Sequence, residues 1–176
     1  MPTKAFVFAL LLICAGLKSE AQANEDDKFM INIGPSIGWA VGTFKETHGF
    51  GWNGQLEVDV VVQEKLRLTA EFLSMDFKGK KYKNAYNHDA QYQDFDPLRF
   101  TAGAKYFYYR GLYAQAKAGY FTDVAPGGHG GGFAWSPVLG FEFGEGPYYT
   151  IAVHYDGYTL HGQNIGNIAF SLYYQF

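Results

Sequence analysis

Leu98-Arg99-Phe100-Thr101-Ala102-Gly103-Ala104-Lys105-Tyr106-Phe107-Tyr108 carries the pattern on which the fold turns. Successive side chains of an extended chain point to opposite faces. Leu98, Phe100, Ala102, Ala104, Tyr106 and Tyr108 therefore share one side of a strand, and Arg99, Thr101, Gly103 and Lys105 the other. The same period of two recurs in seven further segments, over residues 29–41, 50–62, 66–72, 112–120, 133–143, 149–156 and 167–176. Eight strands are expected. Between them, 63–65, 110–111 and 144–147 read as tight turns, and 42–49, 76–97, 122–132 and 157–164 as longer loops. An even strand count with short connections at one end and long ones at the other is the pattern of a transmembrane barrel.

Charge decides which face points inward. One face collects Glu57, Asp59, Glu71, Glu142 and Asp156 with Arg67, Arg99, Lys105 and Lys117, while the other is nearly free of charge. A water-soluble barrel would hold its apolar face inside. Here five acids nearly balance four bases, so the charges can pair within an eight-stranded tube whose lumen side chains fill. The apolar face is then left to meet lipid, where a sheet must close on itself to satisfy its backbone. The expected fold is an all-β, eight-stranded antiparallel transmembrane up-and-down barrel.

Composition agrees. The chain has 176 residues, a formal net charge of −3, 19% aromatic residues and one cysteine. Disorder requires few aromatics, and a nucleic-acid binder requires a concentrated positive footprint, so both classes are set aside. A slightly negative mean hydropathy does not exclude a barrel, whose membrane signal lies in alternation. At the start, Met1 to Lys4 is short and basic, Ala5 to Leu17 is apolar, and Ala21-Gln22-Ala23 places small residues as a cleavage site would. Residues 1–23 therefore read as a secretory signal peptide and 24–176 as the barrel domain. Cys14 leaves with the leader; Ile13 before it does not suit a lipidation site. A mature chain without thiols has no disulfide or cysteine chemistry.

The closing segment Asn167-Ile168-Ala169-Phe170-Ser171-Leu172-Tyr173-Tyr174-Gln175-Phe176, with Tyr155-Asp156-Gly157-Tyr158 before it, resembles the small eight-stranded outer-membrane barrels of the OmpX, OmpA-barrel and opacity-protein kind. The resemblance covers essentially 27–176. It implies insertion in a Gram-negative outer membrane, short turns and termini in the periplasm, contact with membrane lipid and lipopolysaccharide, and Tyr174 and Phe176 as the signal read by the barrel-assembly machinery. It does not fix one task, since such barrels include structural, adhesive and enzymatic members.

Several residue groups bear on that task. The lipid A deacylase barrels (PagL) carry His-x-Ser on the penultimate strand, and His154-Tyr155-Asp156 is similar in its histidine but has Asp156 where the nucleophile would stand. The other reading of His154 and Asp156 is a polar network near the outer rim. Lys78, Lys80, Lys81 and Lys83, with Tyr82, Tyr86 and Tyr92, give the second long loop a basic, aromatic character suited to lipopolysaccharide phosphates or a host surface ligand. His48, His88, His129 and His161 fall one to each long loop, but no spacing among them points to a metal site. Gly127-Gly128-His129-Gly130-Gly131-Gly132 lacks the Lys-Ser/Thr ending of a phosphate-binding loop and reads as a loop tip. Ala102, Ala104, Ala114, Ala116 and Ala118 form a smooth patch on the lipid face, a dimer contact or simply wall. The expectation is a monomeric, non-catalytic barrel without cofactor or nucleic-acid partner, serving envelope structure or surface interaction. A PagL-like hydrolase at His154 and a narrow pore are the alternatives.

Overall fold

The computed structural model describes residues 29–83, 86, 88–128, 130–144, 148–160 and 162–176. The expected leader and its cleavage point lie outside them. The elements are β1 (Phe29–Val41), α1 (Phe44–Thr47), β2 (His48–Gln63), β3 (Leu66–Gly79), β4 (Lys81–Lys83), β5 (Asp89–Gln91), β6 (Pro97–Tyr109), β7 (Leu112–Asp123), β8 (Gly131–Phe143), β9 (Tyr149–Leu160) and β10 (Gln163–Gln175). All strands but β4 and β5 join in one closed antiparallel barrel, in which β1 pairs with β2 on one side and β10 on the other. The eight-stranded transmembrane architecture read from the alternation is the one observed.

The faces also fall as the alternation places them. Trp52, Leu68, Phe100, Tyr120, Leu139, Ile151 and Phe170 are exposed on the outer wall, whereas Glu57, Asp59, Glu71, Arg99, Lys105, Lys117 and Asp156 are buried within. Tight connections need special backbone. The turn from β6 to β7 holds Arg110 at φ 27° and Gly111 at φ 83°, in the left-handed region that Gly111 enters without a Cβ clash. Inside, Gly140 lets the Tyr113 ring lie flat against β8, since a Cβ there would meet that ring at 2.3 Å.

Several strands reach further toward the long connections than expected, for one physical reason. β3 continues to Gly79 and β2 begins at His48, and most of 157–164 is strand, with Thr159 Oγ1 donating to Asn164 Oδ1 at 2.7 Å. Toward this end the polarity of the wall reverses. On β3 the inward residues become Leu73, Met75 and Phe77, all buried, while Ser74, Asp76 and Lys78 point outward. Phe121 on β7 and Tyr158 on β9 are likewise turned in and fully buried. Strands that leave hydrocarbon for water need an apolar interior and a polar exterior, so the alternation continues with its sense inverted.

The result is a lumen in layers. At the end of the long connections Phe44, Phe77, Phe95, Phe121 and Tyr158 pack edge to face, with centroids 4.9–5.9 Å apart. Phe95 is carried in from the segment after β5 and is held by reciprocal backbone hydrogen bonds to Phe77 at 3.0 Å. Beneath this stopper lie the charged side chains. Nearer the tight turns, Tyr113, Val138, Ala152 and Tyr173 form a second apolar cluster, with Phe107 packed against it.

Candidate functional site

The charged residues form a ladder of alternating sign along the barrel interior. At the tight-turn end Arg67 donates to both Glu142 oxygens at 2.9 Å. Lys105 reaches Glu142 at 3.4 Å, Asp59 at 2.6 Å and Glu57 at 3.1 Å. Lys117 joins Glu57, at 3.2 Å, to Glu71, and Arg99 joins Glu71, at 2.6 Å, to Asp156. Asp156 also accepts from Ser136 at 2.9 Å and Asn167 at 3.1 Å. Two cations rest on rings of the second cluster, Arg67 over Phe107 at 4.4 Å and Lys105 over Tyr113 at 4.7 Å. Arg99, Asp156 and Glu71 have no exposed side-chain surface. Ions so placed survive only when each keeps several partners, because stripping them of water costs several kcal/mol apiece.

His154 ends the ladder. Its Nδ1 lies 2.9 Å from Asp156 Oδ1 and its Nε2 2.7 Å from Ser171 Oγ. A hydroxyl, an imidazole and a carboxylate thus stand in the order of a hydrolytic triad, with the hydroxyl supplied by Ser171 on β10 rather than by the position of Asp156. Sequence reasoning passed over Ser171, whose only signal is that it shares the inward face of β10 with Asn167. The surroundings oppose catalysis. His154 and Ser171 are buried, and Asp156 is already claimed by Arg99, Ser136 and Asn167. Nor does the pair sit near the outer rim, as one sequence reading had it: the apolar stopper, Tyr158 included, lies between it and that end.

The basic loop is structured. Lys81-Tyr82-Lys83 of β4 pairs with Asp89-Ala90-Gln91 of β5, and Tyr82 stacks near Tyr92 with centroids 4.5 Å apart. Lys81 and Lys83 are exposed, as is Tyr86 at 83%. Lys78 instead bonds Asp76 at 3.1 Å and Asp94 at 2.9 Å, and Lys80 donates to the Lys45 carbonyl. The Gly79 amide donates to Asp94 at 3.0 Å, and with Lys78 beside it holds the Asp94 carboxyl below its ordinary range. The four lysines are therefore not one patch: two fasten the rim and two face outward.

Of the four loop histidines, His48 and His88 are among the described residues. His48 begins β2, buried, with Thr47 Oγ1 at 2.8 Å and the Gln93 carbonyl at 2.9 Å from its ring nitrogens. His88 precedes β5. His129 and His161 lie outside the described residues, among which no group of three His, Cys, Asp or Glu side chains is arranged to hold a metal. Of the glycine-rich stretch, Gly131 and Gly132 belong to β8. Tyr174 packs against Phe176 at 4.7 Å and Tyr149 at 5.4 Å, and Phe176 exchanges backbone hydrogen bonds with Ile31. Ala102 faces Ala118 and Ala104 faces Ala116 across β6 and β7, on the exposed wall.

No protein-family model matches the chain, and no curated protein matches it in sequence. Solved structures do match in shape. The outer membrane protein Ail of Yersinia pestis in a phospholipid bilayer nanodisc aligns at 14% identity over 84% of this chain and 98% of that one, with a TM-score of 0.56. The crystal structure of Ail, the attachment invasion locus protein, aligns at 13% identity over 84% and 97%, with a TM-score of 0.51. At this identity the likeness concerns the fold, and the fold is that of a small eight-stranded transmembrane barrel.

Proposed function

We propose that this chain is a monomeric outer-membrane barrel of a Gram-negative bacterium that works through the surface of its long connections, without catalysis and without conduction. The observation that carries the reading is the division of the molecule: an apolar belt outside, a lumen closed by the aromatic stopper, and a β4–β5 hairpin that presents Lys81, Lys83, Tyr82, Tyr86 and Tyr92 to solvent. A filled lumen leaves the rim as the part that can meet a partner. Flat rings flanked by ammonium groups suit an anionic, sugar-bearing surface, such as lipopolysaccharide or a host glycan. Ail, an attachment invasion locus protein with this fold, agrees with such a role. Residues 1–23 serve as the export signal in this reading, and the closing strand with Tyr174 and Phe176 is the part the barrel-assembly machinery engages. A smooth alanine patch on β6 and β7 is then ordinary lipid-facing wall.

Binding of the purified barrel to immobilised lipopolysaccharide and to sulfated glycans, compared with Lys81→Gln/Lys83→Gln, tests the proposal. The double variant should bind several-fold more weakly and with a shallower salt dependence. Equal binding by both proteins removes the hairpin from the interaction, and recovery of the chain from the soluble periplasm removes the membrane reading altogether.

A further inference from the structure

The outer wall carries a groove of about 670 Å³, within the size range of pockets that hold a small ligand. It crosses five neighbouring strands rather than following one. Its upper bank is Ile37, Phe170, Val153 and Leu139; its lower bank is Leu172, Ile151, Phe141 and Leu112. The floor is the row Ser36, Ser171, Ala152 and Gly140, paired in register across β1, β10, β9 and β8. Those side chains turn into the barrel, so the floor offers backbone alone. The banks are wholly apolar; Leu139 at 55% and Phe170 at 53% are exposed, while Val153 and Leu112 are half-buried.

The course of the groove points to its occupant. Leu112 is the first residue of β7, beside the tight turn, whereas Ile37 lies well inside β1. The groove therefore starts at the tight-turn edge of the wall and climbs toward its middle. Four strand spacings of about 4.8 Å make it roughly 19 Å long. Strands of such barrels tilt by about 45°, and a line across them tilts as much, so the groove rises about 14 Å. One leaflet of a hydrocarbon core is about 15 Å thick. At the edge, the exposed Arg110 stands two residues from Leu112, with its guanidinium 5.7 Å from the Tyr109 ring.

We propose that this groove holds an acyl chain of one glycerophospholipid of the periplasmic leaflet, with Arg110 taking the lipid phosphate. The inference rests on the membrane reading above. An arginine fork is suited to phosphate oxygens, and an apolar channel spanning a single leaflet accepts a chain whose headgroup stays at the interface.

The test is to extract the barrel with its surrounding membrane from a Gram-negative host, transfer it to mild detergent and measure retained lipid by native mass spectrometry. Heat-modifiable migration in the outer-membrane fraction is scored first for every protein. Val153→Trp fills the channel, Arg110→Ser removes the cation, and Leu68→Trp makes a matching change on β3, outside the groove. The native barrel and Leu68→Trp should retain about one phospholipid, while Val153→Trp should lose about tenfold in occupancy and Arg110→Ser several-fold. Retention unchanged by Val153→Trp, an equal loss in Leu68→Trp, retention of lipopolysaccharide instead, or an embedded native barrel holding no phospholipid would each overturn the groove. A native chain absent from the membrane fraction would overturn the membrane reading instead.

Discussion

Replacing Arg99 by methionine removes the cation that joins Glu71 to Asp156 while keeping much of its apolar stem. Breaking a buried ion pair costs about 3–5 kcal/mol, because the partner left behind stays dehydrated and unpaired. Both acids here keep other partners: Lys117 and Thr101 for Glu71, and Ser136, Asn167 and His154 for Asp156. The lower end, about 3 kcal/mol, is therefore expected. Urea unfolding of the barrel in lipid vesicles, followed by tryptophan fluorescence, measures it as a shift in midpoint at constant slope. Asp156→Asn in the Arg99→Met background should restore part of the loss, with a coupling of about 1–3 kcal/mol in the double-mutant cycle. A loss below about 1 kcal/mol for Arg99→Met would place the pair among surface ion pairs and refute a dry, interdependent ladder.

The aromatic stopper should govern both stability and leak: Phe95→Ala should cost about 3 kcal/mol by the cavity it leaves, and Phe77→Ala/Phe95→Ala/Phe121→Ala should admit ions in planar bilayers where the native barrel does not. Native conductance equal to that of the triple variant would show that the stopper does not seal. Lipid A from cells expressing the barrel should keep its mass, and Ser171 should resist fluorophosphonates; labelling there would revive the hydrolase. Asp94 contributes to the rim through its ionised form, held below its ordinary value of 3.8 first by the Gly79 amide and then by Lys78. A depressed carboxylate stabilises above its ordinary value and loses that contribution as pH falls through the lowered one. Amide exchange at Gly79 should therefore gain protection loss only in that acid range, and the same change near neutrality would exclude Asp94 as its cause.

The transmembrane part was legible because each of its strands repeats one simple contrast, as Arg99, Thr101 and Lys105 do against Phe100, Ala102 and Tyr106. The rim was not, because the contrast changes sign there. Leu73, Met75 and Phe77 continue the inward face of Arg67, Thr69 and Glu71, but in apolar residues, and a reader following charge sees the strand stop. Phe95 is harder still, since its place inside depends on a bridge to Phe77 from another segment. At the other end of the lumen, the inward ions could be assigned to a face but not to partners. Which of Lys105 and Lys117 meets Glu57 depends on side-chain reach across the lumen, and both do. Ser171 escaped for a similar reason, as one hydroxyl on an alternating strand has no signature until His154 is brought diagonally beside it from β9.

Closure by β1 and β10 has a consequence for biogenesis. The pairing of Asn32 with Gln175 joins the first strand of the barrel to β10, so the ring cannot shut until β10 is available. Until then two unsatisfied margins stay open to any other extended chain. Non-local pairing of this kind is slow, and a chain lacking β10 would remain a sticky, curling ribbon.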